Sequence, residues 1–373
     1  MLGFALTRPA DPATAVAPAE RPREKAVTLV EEVRADLARS YYRSIDPAVL
    51  RRPSVEELIR GLEDPHTDYL SPAEFEALKD RTEGSYSGIG LTVGPSREGL
   101  VVTAAFKGPA QRAGIRRGDV IVRIDGKPAW RMPFERSLAL IKGEKGTVVN
   151  LTVKRATRGT IRFQVVRQEI DVPPIQSRVL EGGEVTLGYL RVLSFPVGTA
   201  SRLDRATARL VEAGAEGVVL DLRDNPGGLL SQAVDSVSLF VEEGVVVRTD
   251  GAHQDVRAYS VDGTPAHPTL PLVVLVNGGS ASAAEIVAAA LAENGRATIV
   301  GDRTFGKASV QSIEPLSNGG ALKLTTAKYV TPGGVDISET GIRPKLRAID
   351  DPLTKPDEGL ALARRALLAL LAS

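Results

Sequence analysis

The sequence predicts an α/β protein with a β-rich insertion and helical segments at both ends. Residues 217–240 and 272–294 each combine a short apolar run, a glycine-containing turn and a helix-like stretch, the pattern of strands and helices in a largely parallel sheet. Strand-like runs separated by glycine turns fill residues 83–169. Apolar side chains at helical spacing mark residues 25–62 and 358–371. A chain of 373 residues has room for about two or three domains.

The composition argues against several kinds of site. The chain has 47 basic and 46 acidic side chains and a net charge of +1, and it has no basic cluster interleaved with aromatic residues, so we expect no nucleic-acid partner. The absence of cysteine excludes disulfides, thiolate nucleophiles and cysteine-based zinc sites. The three histidines, His66, His253 and His267, lie far apart in turn-like contexts. We therefore expect neither a metal nor a cofactor.

The first 24 residues are expected to be a disordered tail or the remnant of an export segment. Residues 1–6 are apolar, but they are too few for the core of a signal peptide or for a membrane span. Residues 10–23 are rich in proline, alanine and charge. Residues 25–82 should form a helical region, in which Ser54 begins one helix with a capping-box pattern and Pro72 takes the first position of another.

The insertion carries two motifs that indicate its function. They are Ser87-Gly-Ile-Gly-Leu and, over residues 109–121, P-A-x-x-A-G-I-x-x-G-D-x-I. With them, the order of elements in residues 83–169 resembles a PDZ domain. The glycines would turn backbone amides toward the C-terminal carboxylate of a peptide, which would add a strand to the sheet edge. The alternative is a tight turn without a ligand. The residues predicted to form the peptide-binding loop are Gly88, Ile89, Gly90 and Leu91.

Two serine hydroxyls lie between the apolar strand at 272–276 and the alanine-rich helix that follows it. Ser280 and Ser282 would be exposed at the end of the sheet, near the positive end of the helix dipole. A neighbouring backbone amide would point into the same space, which suits an acyl-transfer nucleophile with an oxyanion hole. Ser282 and Glu285 also form S-x-x-E, a capping box that would begin the helix without any chemistry. The junction alone leaves both interpretations open, and spacing does not choose between the two hydroxyls.

Three turns that follow predicted strands bring further polar groups to one edge of the sheet, where ligands gather in open α/β proteins. Residues 225–228 and 277–279 contain glycine, and residues 304–311 contain Lys307. The polar stretch 251–267 is expected to be an exposed loop. A lysine acts as a base only when burial without a carboxylate partner lowers its pKa. The neighbours of Lys307 are uncharged, which permits this, although a single lysine is more often exposed.

Four motifs occur along the chain in a characteristic order: D-P-H-T-D-Y-L at 64–70, L-R-D-N-P-G-G at 222–228, V-N-G-G-S-A-S-A-A-E-I at 276–286 and T-F-G-K-A-S-V-Q at 304–311. In this order they are similar to the motifs of the carboxyl-terminal processing proteases, serine peptidases with an embedded PDZ domain. The resemblance covers residues 64–344. It implies a crotonase/ClpP-like peptidase core over residues 170–350, followed by a C-terminal helix within residues 351–373.

The resemblance also implies a role for each site residue. Ser282 would be the nucleophile, and Lys307, which lies 25 residues later, would be the general base. Gln311 would orient Lys307, and the amides of Gly228 and Ala283 would form the oxyanion hole. The resemblance alone selects the second serine of S-A-S as the nucleophile. The chain departs from the family pattern in two places without an evident catalytic consequence: at Ala284, where serine is usual, and at Lys345, where an acidic residue is usual.

The expected function is that of a serine endopeptidase with a Ser–Lys dyad, which cleaves protein substrates near or from C-terminal tails held by the PDZ domain. The resemblance implies a preference for apolar tails. Expected partners are these protein or peptide substrates, with an adaptor or a homo-oligomer left open. The family implies a location in the periplasm or outside the cell envelope, but no signal peptide is visible, so the cytoplasm stays an alternative. Two rival functions are a catalytically silent PDZ scaffold and an esterase-type acyl-transfer enzyme on the same core.

Overall fold

A computed structural model describes residues 28–105, 108–171, 173–180, 183, 185–348 and 357–372. The tail expected in residues 1–24 lies outside the described residues, as do residues 351–356 at the beginning of the C-terminal segment. The description below therefore begins at the first helix.

The N-terminal region forms short helices that begin at polar caps. Its elements are α1 (Leu29–Ser40), α2 (Pro47–Leu50), α3 (Val55–Leu62), β1 (Asp68–Leu70) and α4 (Pro72–Glu83). Thr28 precedes α1 and Ser71 precedes α4, each in a capping box with a glutamate three residues later. The predicted cap at Ser54 is present, because its hydroxyl accepts a hydrogen bond from the Glu57 amide at 3.2 Å. Pro72 takes the first position of α4, as the sequence predicts.

The insertion forms its own sheet around its own core. Its elements are β2 (Ser85–Gly88), β3 (Leu91–Ser96), β4 (Gly99–Ala105), α5 (Pro109–Ala113), β5 (Val120–Ile124), β6 (Lys127–Pro128), a 3₁₀ turn (Ala129–Arg131), α6 (Phe134–Ile141), β7 (Val148–Arg155), β8 (Gly159–Val166) and β9 (Gln168–Asp171). The sheet order is β3-β4-β5-β7-β8, with β6 beside β5. Antiparallel pairing of β2 with β9 joins the entry and exit of the insertion. The insertion is thus β-rich with two helices, as predicted.

The remaining chain forms the α/β core and its surroundings. Its elements are β10 (Ile175–Leu180), β11 (Leu187–Val192), α7 (Thr199–Glu212), β12 (Gly217–Asp221), α8 (Leu230–Ser238), β13 (Val245–Gly251), β14 (Gln254–Ser260), β15 (Leu272–Val276), α9 (Ala283–Glu293), β16 (Thr298–Gly301), β17 (Ser309–Pro315), β18 (Ala321–Val330), β19 (Leu346–Arg347) and α10 (Glu358–Leu371). The central sheet has the order β10-β11-β12-β15-β16-β19. All its neighbouring strands are parallel except β10, which pairs antiparallel with β11.

Both faces of the central sheet are buried, which explains the continuous apolar runs of β12 and β15. Val218, Val274 and Val276 face a core that contains residues of α7, α8 and α9. Val219 and Val273 point to the opposite face, where they pack with residues of α10. Within the described ranges, no helix is long and apolar enough to cross a bilayer.

A second sheet joins the N-terminal region to the core. Its order is β1-β18-β13-β14, with β17 also paired to β18. Asp68 of β1 lies opposite Lys323 of β18, so the D-P-H-T-D-Y-L motif is carried to the strands that follow the Lys307 turn. The expectation of a loop at 251–267 is wrong for β14, since Gln254–Ser260 pairs antiparallel with β13. Pairing with a neighbouring strand, rather than local apolar alternation, makes this segment a strand.

Candidate active site

Ser282 lies at the junction where β15 gives way to α9. Its backbone has φ 56° and ψ −119°, an unfavourable conformation for a residue other than glycine that costs about 1–3 kcal/mol. The surrounding bonds hold it there: the Ser282 amide donates to Glu285 Oε2 at 2.8 Å, and the Ser282 carbonyl oxygen accepts from the Ile286 amide at 3.0 Å. The Ser282 side chain is half-buried. The capping box predicted from Ser282 and Glu285 is present at this junction, and the Ser282 amide bond to Glu285 is its backbone half.

Ser280 has a different environment from Ser282. It is fully buried, its hydroxyl donates to the Leu222 carbonyl oxygen at 2.8 Å and it accepts from the Asn277 amide at 3.0 Å. These bonds fasten the glycine turn to the end of β12. The two serines that spacing does not distinguish thus differ in access: the Ser280 hydroxyl is engaged in the fold, and the Ser282 hydroxyl lies in a half-exposed side chain.

Asn225 holds the glycine turn after β12 beside Ser282. Its side chain is fully buried, donates through Nδ2 to the Val192 carbonyl oxygen at 2.8 Å and accepts from the Gly227 amide at 2.8 Å. Its carbonyl oxygen accepts from the Ala281 amide at 2.9 Å. The turn is therefore bonded both to β11 and to the residue before Ser282. No role for Asn225 follows from the sequence, although it lies within L-R-D-N-P-G-G.

The amides of Gly228 and Ala283, which are expected to form an oxyanion hole, belong to the residues that directly follow Gly227 and Ser282. Gly227 and Ser282 approach each other closely. A Cβ at Gly227 would lie 2.8 Å from Ser282 Cβ, so only glycine allows the turn to approach so closely. The amide of Leu229, the residue after Gly228, donates to the Phe195 carbonyl oxygen at 2.8 Å. The Gly228 amide itself, by contrast, has no acceptor within the described part of the chain. Ala283 is the first residue of α9, where an amide has no partner inside the helix.

Lys307 lies on the turn between β16 and β17, and its side chain is half-buried. Burial lowers the pKa of Lys307, the charge of Lys323 lowers it further, and the Glu285 carboxylate opposes both effects. No hydrogen bond or ion pair engages the Lys307 amine within the described residues.

His66, from D-P-H-T-D-Y-L, lies close enough to Lys307 to be affected by its charge. Burial and the positive charge of Lys307 both lower the pKa of His66. Sequence reasoning did not place His66 near this site.

Gln311 lies on β17, four residues after Lys307. Its side-chain amide donates to Ser309 Oγ at 2.8 Å. Within the described residues no hydrogen bond joins Gln311 to Lys307, so its expected orienting role stays a prediction. Nor do the described residues include a group of three or more His, Asp or Glu side chains placed to hold a metal ion.

Glu285 and Tyr329 connect the Ser282 turn with the Lys307 turn. Glu285 accepts from the amides of both Ser282 and Lys307 through Oε2, at 2.8 and 3.0 Å. The Tyr329 hydroxyl donates to the Lys307 carbonyl oxygen and lies 3.3 Å from that of Ser282. The sequence indicated Glu285 only as a helix cap and gave no signal for Tyr329. Glu285 and Tyr329 thus bring the turn that carries the Ser282 hydroxyl next to the turn that carries the Lys307 amine. A hydroxyl and a base are groups that nucleophilic acyl transfer needs.

The glycine loop of the insertion lies at one end of the β3 edge. Gly88 ends β2 and Leu91 begins β3. Gly90 has φ 78°, which glycine adopts readily, and the carbonyl oxygen of the buried Ile89 accepts from the Ala110 amide at 2.9 Å. Among the described strands, β3 pairs with β4 only. Its other edge is thus available for an added strand beside the loop.

Comparisons with known proteins agree on one family. The model of peptidase family S41 matches residues 186–348, and a PDZ domain model matches residues 101–155. The carboxyl-terminal-processing protease of Picosynechococcus sp. is 38% identical over 304 residues, 80% of this chain and 73% of the relative. The carboxy-terminal processing protease CtpA of Bacillus subtilis is 35% identical over 323 residues, 85% of this chain and 67% of the relative.

A solved structure supports the same assignment. The photosystem II D1 C-terminal processing protease is 32% identical, with a TM-score of 0.55 over 90% of this chain and 96% of that protein. The predicted family and fold class are therefore confirmed. With an accessible serine at a strand–helix junction and relatives over most of its length, this chain belongs to peptidase family S41 and is a serine-type hydrolase of the carboxyl-terminal processing protease group.

Proposed function

We propose that this protease uses a Ser282–Lys307 dyad to cleave protein substrates near tails that its PDZ domain captures. The Lys307 amine takes the Ser282 proton while Oγ attacks the scissile carbonyl, and the amides of Gly228 and Ala283 stabilise the oxyanion. Lys307 then gives the proton to the leaving amine, and water hydrolyses the acyl-enzyme. We retain Gln311 as the residue that orients Lys307, a role in which Gln311 Oε1 would accept a hydrogen bond from the Lys307 amine while Nε2 donates to Ser309.

One observation carries the dyad proposal. The half-buried Ser282 and Lys307 lie on two turns whose backbone amides donate to the same carboxylate, and within the described residues the Lys307 amine has no hydrogen-bond or ion-pair partner. Burial removes the water that normally stabilises a lysine ammonium, and this favours the neutral amine needed in a base. The competing hydroxyl of Ser280 is engaged in two hydrogen bonds.

Tail capture is proposed from the insertion. We place the PDZ domain at residues 83–169 and the peptidase core at residues 170–350. The loop Gly88-Ile89-Gly90-Leu91 would bind the terminal carboxylate, and the tail would pair with the free edge of β3. We also propose that the enzyme acts outside the cytoplasm; two of its relatives, from Tetradesmus obliquus and Arabidopsis thaliana, are named as chloroplastic enzymes.

The test is cleavage of a loosely folded protein with an apolar C-terminal tail, followed by intact mass. The same substrate is prepared with a C-terminal carboxamide, which removes the terminal charge and leaves the cleavage region unchanged. We expect KM to rise at least about tenfold for the carboxamide, because charge-assisted hydrogen bonds to the loop are lost.

Equal KM values for the two substrates would contradict tail capture. If no substrate is cut, labelling with a fluorophosphonate probe distinguishes a competent active site that lacks its proper substrate from a catalytically silent scaffold. Labelling of Ser282 would indicate a competent site that needs a different substrate. Failure of the folded protein to react would contradict the dyad and favour the scaffold function.

The pH dependence should report the charges around Lys307. The groups that act on its pKa are Lys323, on β18, and Glu285, on α9; His66 also lies close to it. Replacing Lys323 by glutamine removes a positive charge that lowers the Lys307 pKa. The acidic limb of kcat/KM should therefore move to higher pH, by roughly half to one unit. The control is Lys328→Gln, on the exposed side of the same strand, which should leave the limb in place.

A further inference from the structure

We infer that Glu285 is a positioning residue that fixes the Lys307 turn against the Ser282 turn, so that base and nucleophile keep a productive geometry. This inference rests on the proposed Ser282–Lys307 dyad. Glu285 lies in the first turn of α9 and is fully buried. A capping box would require only one of its oxygens, which accepts the amide of the preceding cap residue. The structure shows considerably more than that.

Each carboxylate oxygen of Glu285 accepts two hydrogen bonds. Oε2 accepts from the amides of Ser282 and Lys307, at 2.8 and 3.0 Å. Oε1 accepts from the Thr304 hydroxyl at 2.6 Å and from the Gly306 amide at 2.7 Å. One bond thus goes to the nucleophile and three go to the turn that carries the base.

All four partners of Glu285 donate. Three are backbone amides, and the fourth is the Thr304 hydroxyl. Because Thr304 Oγ1 accepts a hydrogen bond from the Ile342 amide at 2.7 Å, its own proton is directed to Glu285. An ionised carboxylate fits this environment because it only accepts. A glutamine would place its amide hydrogens against at least one backbone amide in either orientation, and a buried donor left without an acceptor is costly.

The Lys307 turn also forms hydrogen bonds with Tyr329 and with residues 339–342, but its bonds toward the Ser282 turn and α9 are those that set the base against the nucleophile. Residues 303–308 form no helix or strand, so their position depends on individual hydrogen bonds. The Phe305 amide donates to the Ser280 carbonyl oxygen at 3.0 Å, and the next two amides donate to Glu285. Three successive amides of the base turn are thereby tied to the turn of the nucleophile or to the helix it begins. A displacement of about 1 Å in such a geometry lowers the rate about 100-fold.

The electrostatic effect of Glu285 works against a neutral base. Burial and Lys323 lower the pKa of Lys307, whereas the negative charge of Glu285 raises it. The other titratable groups facing these residues are Tyr329, whose pKa is raised by burial and by Glu285, and His66. Loss of the Glu285 charge should therefore shift the Lys307 pKa downward. A helix cap with no link to the base would produce no such shift.

The experiment compares Glu285→Gln with Glu74→Gln. Glu74 occupies the same capping-box position in α4 but is exposed and distant in sequence, so its replacement makes the same chemical change in a capping box without touching the Lys307 turn. For Glu285→Gln we expect kcat to fall at least about 100-fold with KM changed less than about threefold. The acidic limb of the pH profile of the remaining activity should move to lower pH, because the Lys307 pKa falls when the Glu285 charge is lost. Glu74→Gln should match the wild type in both respects.

Thr304 supplies a second test that does not depend on folding of the glutamine variant. Thr304→Val removes one donor to Glu285 and the acceptor of the Ile342 amide but leaves the Glu285 charge, so kcat should fall about tenfold while the acidic limb of the pH profile stays in place. Thr304→Ser keeps the hydroxyl and should retain most of the activity. Wild-type kcat and an unmoved limb in folded Glu285→Gln would overturn the inference. If that variant does not fold, equal kcat values for Thr304→Val and Thr304→Ser would do so.

Failure of the dyad itself would look different. In that case Lys307→Met would cut its substrate at the wild-type rate, whatever Glu285 does. An inactive Lys307→Met together with a fully active Glu285→Gln would reject only the positioning role.

Discussion

Ser282→Ala is expected to abolish cleavage while Ser280→Ala remains active. Ser282 Oγ is the protein atom that forms the covalent bond to the substrate carbonyl carbon in the proposed scheme, and loss of such a nucleophile lowers kcat by roughly four to six orders of magnitude. Ser280 is buried, and its hydroxyl makes two structural hydrogen bonds. Its loss should lower the free energy of unfolding by about 1–3 kcal/mol and leave the nucleophile in place.

The measurement is substrate cleavage by intact mass, together with fluorophosphonate labelling and a thermal melt of each variant. Ser280→Ala should still be labelled at Ser282, and Ser282→Ala should not react. A folded Ser280→Ala that neither cuts nor reacts, beside a Ser282→Ala that does, would show that the nucleophile has been assigned to the wrong serine.

Lys307→Met is expected to cause the second large loss. Methionine has a similar length and suits a half-buried site, but it cannot accept the Ser282 proton. General-base catalysis contributes roughly two to four orders of magnitude, and kcat/KM should fall by that amount. In the wild type, activity should rise with pH as Lys307 loses its proton, and this rise should occur below the usual lysine pKa, because burial and Lys323 lower it.

Lys307→Arg separates the role of the proton from the role of the charge. Arginine keeps a positive charge but does not lose its proton at accessible pH, so this variant should be as inactive as Lys307→Met. Activity near the wild-type level in Lys307→Arg would mean that a positive charge suffices. The pH profile of the wild type would then show no limb attributable to Lys307.

The N-terminal motif illustrates a relation that only the fold reveals. D-P-H-T-D-Y-L was part of the family resemblance, yet nothing in its composition connects His66 with Lys307. Pairing of β1 with β18 brings this segment beside the strands that follow the Lys307 turn. The low pKa of His66, which burial and Lys307 both cause, follows from that contact between segments more than 200 residues apart.

By itself, the sequence determined the family, the α/β core and the PDZ insertion. Apolar β-branched runs, capping residues and glycine turns act over a few residues, so local patterns and ordered motifs predict them well. Tertiary structure decided which hydroxyl is engaged in the fold, because Ser280 bonds to Leu222 at the end of another strand. It also decided that β14 is a strand, and that Glu285 joins two turns rather than merely capping a helix. Each of these depends on partners distant in sequence, whose hydrogen bonds exist only once the chain has packed.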